Sequence, residues 1–390
     1  MKTPVYLDYQ ATTPVDPRVL EAMLPYFEKT FGNAASRSHS FGWAAEKGVD
    51  RARKRIADLA GATPREIVFT SGATESNNLA LKGAWEVYRS RGNHFVTVTT
   101  EHRAVLDPIR RLEWMGAEVT MIAVRPDGLV DLDEVRRALR PETILLSVMH
   151  ANNEIGVIQP VREIGAICRE ANVLFHVDAA QAFGKVRVDV AEANINLMSI
   201  TAHKIYGPKG IGALYVKPGT NLAPQMDGGG HEQGLRSGTL NVPGIVGFGD
   251  AAAICALEME QEAARVGVLR DRLLSRIEAA AEGVQVNGAL ENRLPGNLNL
   301  RFAGVEADAL LTMLPDIALS TGSACSSASP QPSHVLRALG LSVSEARSSV
   351  RFGLGRFTTE EEIDYVALRV IGAVRTLQQS PALAPSTVKP

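Results

Sequence analysis

Cysteine is scarce in this chain, with three residues in 390. The three are isolated from one another and show no C-x-x-C spacing, so they predict neither a disulfide framework nor a zinc ribbon. An excess of one charge is also missing, because 41 Lys and Arg stand against 43 Asp and Glu. The chain therefore lacks the basic footprint of a protein that binds nucleic acid or an acidic membrane.

Long apolar runs are missing as well. No uninterrupted apolar stretch approaches the ~18 residues of a membrane-spanning helix. Met1–Pro4 leads directly into alternating residues without the apolar core of a signal peptide. With 45% apolar and 22% charged residues, the composition is that of an ordinary globular protein. We expect a cytoplasmic protein without direct nucleic-acid or membrane partners.

Two common nucleotide-binding motifs are absent. The sequence contains neither a P-loop nor a G-x-G-x-x-G turn opening a helix, which removes the main support for P-loop and simple Rossmann proteins. Ser71–Glu75 instead joins an apolar strand to a helix through small residues, including Ala73 and Thr74. Backbone N–H groups at such a helix start favour phosphate. Ser and Thr there are most often plain caps, so this segment alone does not establish a phosphate site.

Short apolar runs alternate with longer periodic segments between Ile67 and Val216. This alternation predicts a mostly parallel sheet covered by helices on both faces, with ligands outside the carboxyl ends of the strands. The predicted strands are His94–Thr99, Glu118–Ile122, Thr143–Met149, Leu174–Asp178 and Leu197–Thr201. The predicted helices are Glu75–Arg91, Ala104–Met115, Asp131–Arg140 and Val161–Ala171.

A second region follows a long helical pattern, about Gly244–Ala281, that we expect to be interrupted. Its predicted elements are the strands Asn297–Phe302, Ala318–Ser320 and Ser349–Gly353 and the helices Ala307–Leu314 and Thr359–Leu377. We expect a large α/β domain over residues 15–260. A smaller α+β domain would combine residues 1–14 and 261–378, and residues 379–390 would form a mobile tail.

Polar side chains follow three of the predicted strands. Lys204 comes directly after a strand and could form a Schiff base. Asp178 ends another strand, and a buried carboxylate there needs a cationic partner, such as a protonated pyridine nitrogen. His102 follows a third strand and could lie flat on an aromatic ring. Taken alone, each has a commoner structural explanation, but with the phosphate signal they predict a site for pyridoxal 5′-phosphate (PLP).

With these residues in place, the sequence resembles the cysteine desulfurases of the NifS/IscS-like group, within the class V, fold-type I PLP-dependent enzymes. The resemblance runs from Val5 to about Leu377, and the segments that carry it are Tyr6–Pro14, Thr70–Asn77, His150–Gly156, His203–Gly210, Arg236–Thr239 and Gly322–Cys325. It implies an aspartate aminotransferase-like fold, with a mostly parallel, seven-stranded sheet in the large domain.

The resemblance also implies roles for the residues of the site. Lys204 would be the Schiff-base lysine, Asp178 would pair with the pyridine nitrogen, and Gln181 with the ring hydroxyl oxygen. His102 would stack on the ring and transfer protons. The phosphate contacts would be Ala73, Thr74, Thr201, His203 and, from the other subunit of a homodimer, Thr239. Asn153, which would also contact the cofactor, and Arg351 would hold the substrate carboxylate, the latter bidentately.

Cys325 determines which reaction we expect. It lies among small residues in Ser320–Pro330, where a solvated thiol can be reactive. Cys168 and Cys255 lie in apolar helical segments and are expected to be structural. The resemblance implies that the Cys325 thiolate attacks the sulfur of L-cysteine, leaving a persulfide on Cys325 and releasing L-alanine.

Two alternatives remain open from the sequence. Another class V enzyme, such as an aminotransferase or a selenocysteine lyase, would need Lys204 and Asp178 but not Cys325. A PLP-fold binding protein would show no turnover at all. The resemblance further implies that a sulfur-acceptor protein, such as an iron–sulfur scaffold, docks beside the Cys325 loop and on the C-terminal segment. Since Ala382–Pro390 holds no aromatic anchor, we expect weak scaffold binding or binding through Ser326–Pro332.

Overall fold

The computed structural model describes residues 3–321 and 331–379. The strands are β1 (Val5–Tyr6), β2 (Ile67–Thr70), β3 (His94–Val98), β4 (Glu118–Ile122), β5 (Thr143–Met149), β6 (Leu174–Asp178), β7 (Leu197–Thr201), β8 (Gly212–Val216), β9 (Val284–Val286), β10 (Asn297–Phe302), β11 (Ile317–Ala318) and β12 (Ser349–Gly353). The helices are α1 (Pro17–Met23), α2 (Pro25–Glu28), α3 (Ser40–Ala60), α4 (Ala73–Tyr88), α5 (Arg103–Trp114), α6 (Leu132–Ala138), α7 (Val161–Glu170), α8 (Val242–Glu278), α9 (Ala307–Thr312), α10 (His334–Ala338), α11 (Val343–Arg347) and α12 (Glu360–Gln379).

The central feature is a seven-stranded sheet in the order β2-β8-β7-β6-β5-β3-β4. Strands β3 to β7 run parallel, whereas β8 is antiparallel to both of its neighbours. Register places Asp178 opposite both Met149 and Ser199. The carboxyl ends of three parallel strands therefore meet at one edge. The predicted mostly parallel, seven-stranded α/β fold is confirmed.

Helices cover both faces of this sheet. One apolar cluster joins α4 and α5 to the sheet through buried residues such as Leu81, Ile109 and Leu145. A larger cluster on α3, α7 and α8 includes Ile56, Ile164 and other fully buried side chains. Because both faces are covered, the central strands are buried along their whole length, as expected for a parallel sheet.

A separate apolar cluster, distinct from the two on the central sheet, forms around the three-stranded antiparallel sheet β9-β10-β12. It combines β1, α9, α12 and the later part of α8, where Leu273 and Ile277 are fully buried. Strand β1 pairs in parallel with β11, which is Ile317–Ala318 and not Ala318–Ser320 as the sequence suggested. Ser320 instead forms an isolated bridge with Arg351. The predicted domain boundary near residue 260 falls within α8 and stays a prediction.

Helix α8 is continuous over 37 residues, so the predicted interruptions are wrong. Gly249 allows close packing within this helix, since a Cβ there would lie 2.4 Å from the Cα of Ala52 on α3. Among the described residues α8 is also the one helix that is long and apolar enough to cross a membrane. Of its apolar window 56% is buried inside the protein, as in the core helix of a globular protein.

Candidate active site

A cavity of about 540 Å³ lies at the carboxyl ends of the parallel strands. It is lined by residues that follow β2, β3, β5, β6 and β7, together with Gln10–Thr12 and Arg351. The predicted site residues that it brings together are Ala73, Thr74, His102, Asn153, Asp178, Gln181, Thr201, His203, Lys204 and Arg351. Thr239 is exposed and does not line this cavity. Cys325 lies outside the described residues.

Lys204 ends the 3₁₀ turn that directly follows β7. Its Nζ donates to the carbonyl oxygens of Gln10 over 2.5 Å and of Ala11 over 2.6 Å. Two carbonyl dipoles favour the charged form of an amine, because each accepts one of its N–H groups. The segment around Gln10 therefore provides a defined position for the Lys204 ammonium.

Asp178 is buried at the end of β6, and two donors orient its carboxylate. Oδ1 accepts from the Ala180 backbone N–H over 3.0 Å, and Oδ2 accepts from Asn77 Nδ2 over 2.8 Å. No cationic side chain of the described residues forms an ion pair with it. A buried carboxylate in this position fits a cationic ligand atom, such as a protonated ring nitrogen.

His102 is the N-cap of α5. Its Nδ1 accepts the Ala104 backbone N–H over 3.0 Å, which places the proton of the neutral ring on Nε2. The ring lines the cavity, so its tautomer is fixed by the helix that it caps. This geometry suits the stacking and proton-transfer role that the resemblance implies.

The start of α4 lies at the end of the cavity where the sequence predicts phosphate binding. Its N-cap is Gly72, with φ of +154° and no side-chain cap, so no side chain occupies the N–H groups of the first turn. The neighbouring wall carries His203, whose Nδ1 lies 3.1 Å from Thr12 Oγ1. Burial, followed by the charge of Lys204, lowers the pKa of His203 to about 4. His203 is thus neutral at pH 7 in the free protein.

Glu75 and Arg236 form an ion pair at the rim of the cavity, beside the start of α4. Glu75 Oε2 accepts the Ser71 backbone N–H over 2.7 Å, while Oε1 accepts from Arg236 Nε over 2.8 Å. The guanidinium offsets the negative charge that Glu75 would otherwise present to a phosphate. It also connects α4 to the segment that continues to Thr239.

Arg351 lies on β12 and is almost fully buried, with 1% of its side chain exposed. Its Nη2 donates to Asp8 Oδ1 over 2.6 Å, and its Nη1 donates to the backbone oxygen of Asn153 over 2.9 Å. A substrate carboxylate bound here would share the guanidinium with Asp8. The contact with Asn153 places the two predicted substrate-binding residues side by side.

Sequence reasoning assigned no role to Glu101, which lies beside His102. Glu101 is fully buried, and Oε1 accepts the Met149 backbone N–H over 2.5 Å. Burial, and then the nearby Asp178 carboxylate, raises its pKa well above the usual value. Burial therefore disfavours the charged form of this carboxyl group. The sequence did contain a signal for this residue, namely an acidic side chain two positions after the predicted apolar strand His94–Thr99.

The two cysteines in the described part of the chain are buried. Burial raises the pKa of both thiols, Cys168 and Cys255, to about 12. Neither lines the cavity. Both observations agree with the structural role expected for these two residues.

Residues 5–366 match the protein family Aminotransferase class-V. Cysteine desulfurase IscS of Anaeromyxobacter sp. (strain Fw109-5) is 59% identical over 381 residues, which cover 97% of this chain and 94% of that relative. Cysteine desulfurase IscS of Methylobacillus flagellatus is 59% identical over 368 residues, covering 94% and 91%. The sequence similarity therefore extends over nearly the full length of this chain and of each relative.

Solved structures of related proteins also resemble this chain over most of its length. A NifS-like protein has a TM-score of 0.90 at 36% identity, covering 95% of this chain and 99% of its own. SspA in complex with cysteine has a TM-score of 0.81 at 38% identity, covering 91% and 100%. The structural likeness thus extends over more than nine-tenths of this chain.

Proposed function

This chain belongs to the class-V aminotransferase family and is a cysteine desulfurase, and on that premise we propose how its own residues share the reaction. The family implies PLP as cofactor, and the residues present fit that group. Lys204 supplies an amine in the cavity, α4 begins without a side-chain cap, and Asp178 lacks a cationic partner among the described residues. This combination in one cavity is the observation that carries the proposal.

We propose that Lys204 attaches the cofactor and that Asp178 pairs with its ring nitrogen. Gln181 would bond the ring hydroxyl oxygen, and His102 would lie on the ring. The phosphate would bind at the start of α4, in contact with Ala73, Thr74, Thr201 and His203. When bound, PLP supplies an electron sink for the Cα carbanion of the substrate.

Lys204 would serve as the base that removes the Cα proton of L-cysteine. Its Nζ becomes an ammonium in that step, and the carbonyl oxygens of Gln10 and Ala11 lie in position to accept its N–H groups. Arg351 and Asn153 would hold the substrate carboxylate, which orients the Cα–H bond toward the lysine.

Cys325 would take the sulfur from the substrate. Its thiolate attacks the substrate sulfur, a new S–S bond forms, and the C–S bond breaks. The electron pair of the broken bond passes to the substrate carbon, which is then protonated. The products are L-alanine and a persulfide on Cys325, so atoms and charge balance.

Incubation of the purified protein with L-cysteine tests this assignment. We expect alanine in proportion to the sulfide released with a reductant, and a mass increase of one sulfur on the peptide that contains Cys325. The Cys325→Ala variant should retain the cofactor and lose the persulfide. Full desulfurase activity in Cys325→Ala would favour a lyase mechanism, and formation of pyruvate in place of alanine would overturn the proposal.

We also propose a homodimer in the cytoplasm. Thr239 is exposed and does not line the cavity of its own subunit, so it is available to a neighbour. Large apolar side chains from α2 to the first turn of α3 are more than half exposed, among them Phe27, Phe31 and Trp43. A symmetric partner would cover them. Light scattering that finds an active monomer would refute this arrangement.

The persulfide sulfur would pass to an acceptor protein, such as an iron–sulfur scaffold. Of the segments suggested for docking, residues 326–332 and 382–390, all but residues 331 and 332 lie outside the described residues. Calorimetric titration with scaffold from the same organism tests the expected weak binding. Sub-micromolar affinity that is lost on deleting residues 382–390 would contradict it.

A further inference from the structure

Lys185 is a second half-buried lysine close to the active site. It lies four residues after Gln181, and its Nζ donates to Gln181 Oε1 over 3.0 Å. Lys185 does not line the large cavity; it lines a separate cavity of about 40 Å³ with Tyr9 and Glu262. Among the described residues, Gln181 Oε1 is the one hydrogen-bond acceptor of this ammonium, which forms no ion pair with a carboxylate there.

Two neighbours fix the orientation of the Gln181 amide. An ammonium has only donors, so the amide atom that faces Lys185 must be the oxygen. On the other side, Gln181 Nε2 donates to the backbone oxygen of Gln10 over 2.8 Å, and a carbonyl oxygen can only accept. Both contacts select the same orientation, which removes the ambiguity that amide side chains usually carry.

The opposite orientation would be strongly disfavoured. It would place the amide NH₂ against the ammonium of Lys185 and the amide oxygen against the oxygen of Gln10. Both hydrogen bonds would be lost, and two like-signed contacts would replace them. In the observed orientation, one N–H of Gln181 Nε2 points to Gln10, and the second remains for a ligand in the cavity that Gln181 lines.

From this geometry we propose that Lys185 is a positioning residue, which holds Gln181 as a hydrogen-bond donor toward the ring hydroxyl oxygen of the cofactor. The inference rests on the proposed function, which places that oxygen beside Gln181. It deepens the proposal, because it explains why a half-buried cation that forms no ion pair among the described residues lies behind the site. Burial lowers the pKa of Lys185 to about 8, so most of it still carries the charge at pH 7.

The same contacts continue to the catalytic lysine. The oxygen of Gln10 that accepts from Gln181 also accepts from Lys204 Nζ over 2.5 Å. A Gln181 side chain released by loss of Lys185 would therefore also disturb the position that holds the Lys204 ammonium. The expected effects on the cofactor site pass through Gln181, not through direct contact with Lys185.

A double-mutant cycle on cofactor retention tests the proposal. The holoenzyme, Lys185→Met, Gln181→Ala and the double variant are gel-filtered, and the first-order loss of cofactor absorbance is followed. Lys185→Met should speed the loss about tenfold, the effect of one charged hydrogen bond. The same substitution in the Gln181→Ala background should change it less than twofold, because the two residues act as a unit.

Further variants separate positioning from general stability. Lys185→Arg keeps a cationic donor and should restore retention to within about threefold of the wild type. Lys54→Met removes an exposed lysine, which pairs with Asp58, and should change nothing. Thermal unfolding of each variant without cofactor reports folding. If Lys185→Met does not fold, Lys185→Ala, which also removes the donor to Gln181, completes the cycle.

Two results would overturn the proposal. The first is an equal effect of the Lys185 substitution in both backgrounds, which indicates a structural role only. The second is normal cofactor retention in a folded Lys185→Met variant. Failure of the proposed function looks different: wild-type protein would then bind no PLP at Lys204 or form no alanine from L-cysteine.

Discussion

Asn77 offers a sharp test of how Asp178 is held. Asn77→Ala removes one of the two donors to the Asp178 carboxylate, the 2.8 Å bond from Nδ2, and leaves the Ala180 N–H in place. A hydrogen bond to a charged group contributes about 1.5–3 kcal/mol. With one donor remaining we expect the lower value, roughly 1.5 kcal/mol, which corresponds to about a tenfold loss in kcat/KM.

The assay is alanine formation from L-cysteine under initial-rate conditions, with cofactor content measured by visible absorbance. Asn78→Ala is the matched control, because Asn78 is the next residue on α4 and its Nδ2 bonds the Thr74 backbone oxygen, not Asp178. The control should stay within about twofold of the wild type. Equal activity of the Asn77 and Asn78 variants would refute the argument that Asn77 orients Asp178.

Two further predictions concern the same site, and a third concerns His176, which is buried in the central sheet. Lys204→Ala should lose covalent cofactor attachment and nearly all turnover, measured by mass spectrometry and alanine release; turnover at the native rate would contradict its assignment. Arg351→Gln should raise the KM for L-cysteine at least about tenfold and change kcat less, because it removes a charged contact to the substrate carboxylate. Burial lowers the pKa of His176 from 6.5 to about 3. The unfolded chain therefore binds this proton first, and stability falls as the pH drops from 6.5 toward 3, by up to about 1.4 kcal/mol per pH unit. His176→Gln should reduce that slope in urea titrations, and an unchanged slope would exclude His176 as its source.

The parallel strands and the residues that follow them were predictable from the sequence. Apolar runs such as Leu197–Thr201 are local signals, and the carboxyl-edge rule then places Lys204 and Asp178 together. Helix α8 was harder, because its glycines suggest interruptions. Gly249, for example, is required by the contact with α3, because a Cβ there would lie 2.4 Å from the Cα of Ala52. No local pattern contains that information.

Contacts between distant segments could not be predicted from periodicity. Asn77 reaches Asp178 across 101 residues, and Gln10 reaches Lys204 across 194. The resemblance marked the segments that contain Asn77 and Gln10 but gave neither residue a role. Lys185 is only four residues from Gln181, yet both lie in a loop, where spacing does not determine which side chains meet.

The contact between Asp8 and Arg351 has a consequence for synthesis. The two residues are 343 positions apart. Strand β1 likewise cannot pair until β11, near the other end of the chain, has been synthesised. At about 5–20 residues per second, Asp8 is made roughly 17 to 70 seconds before Arg351. During this time the Asp8 carboxylate lacks the guanidinium that it contacts in the folded protein. The end of the cavity that contains Arg351 is thus assembled only on a nearly finished chain, and a nascent chain that stalls earlier carries no complete active site.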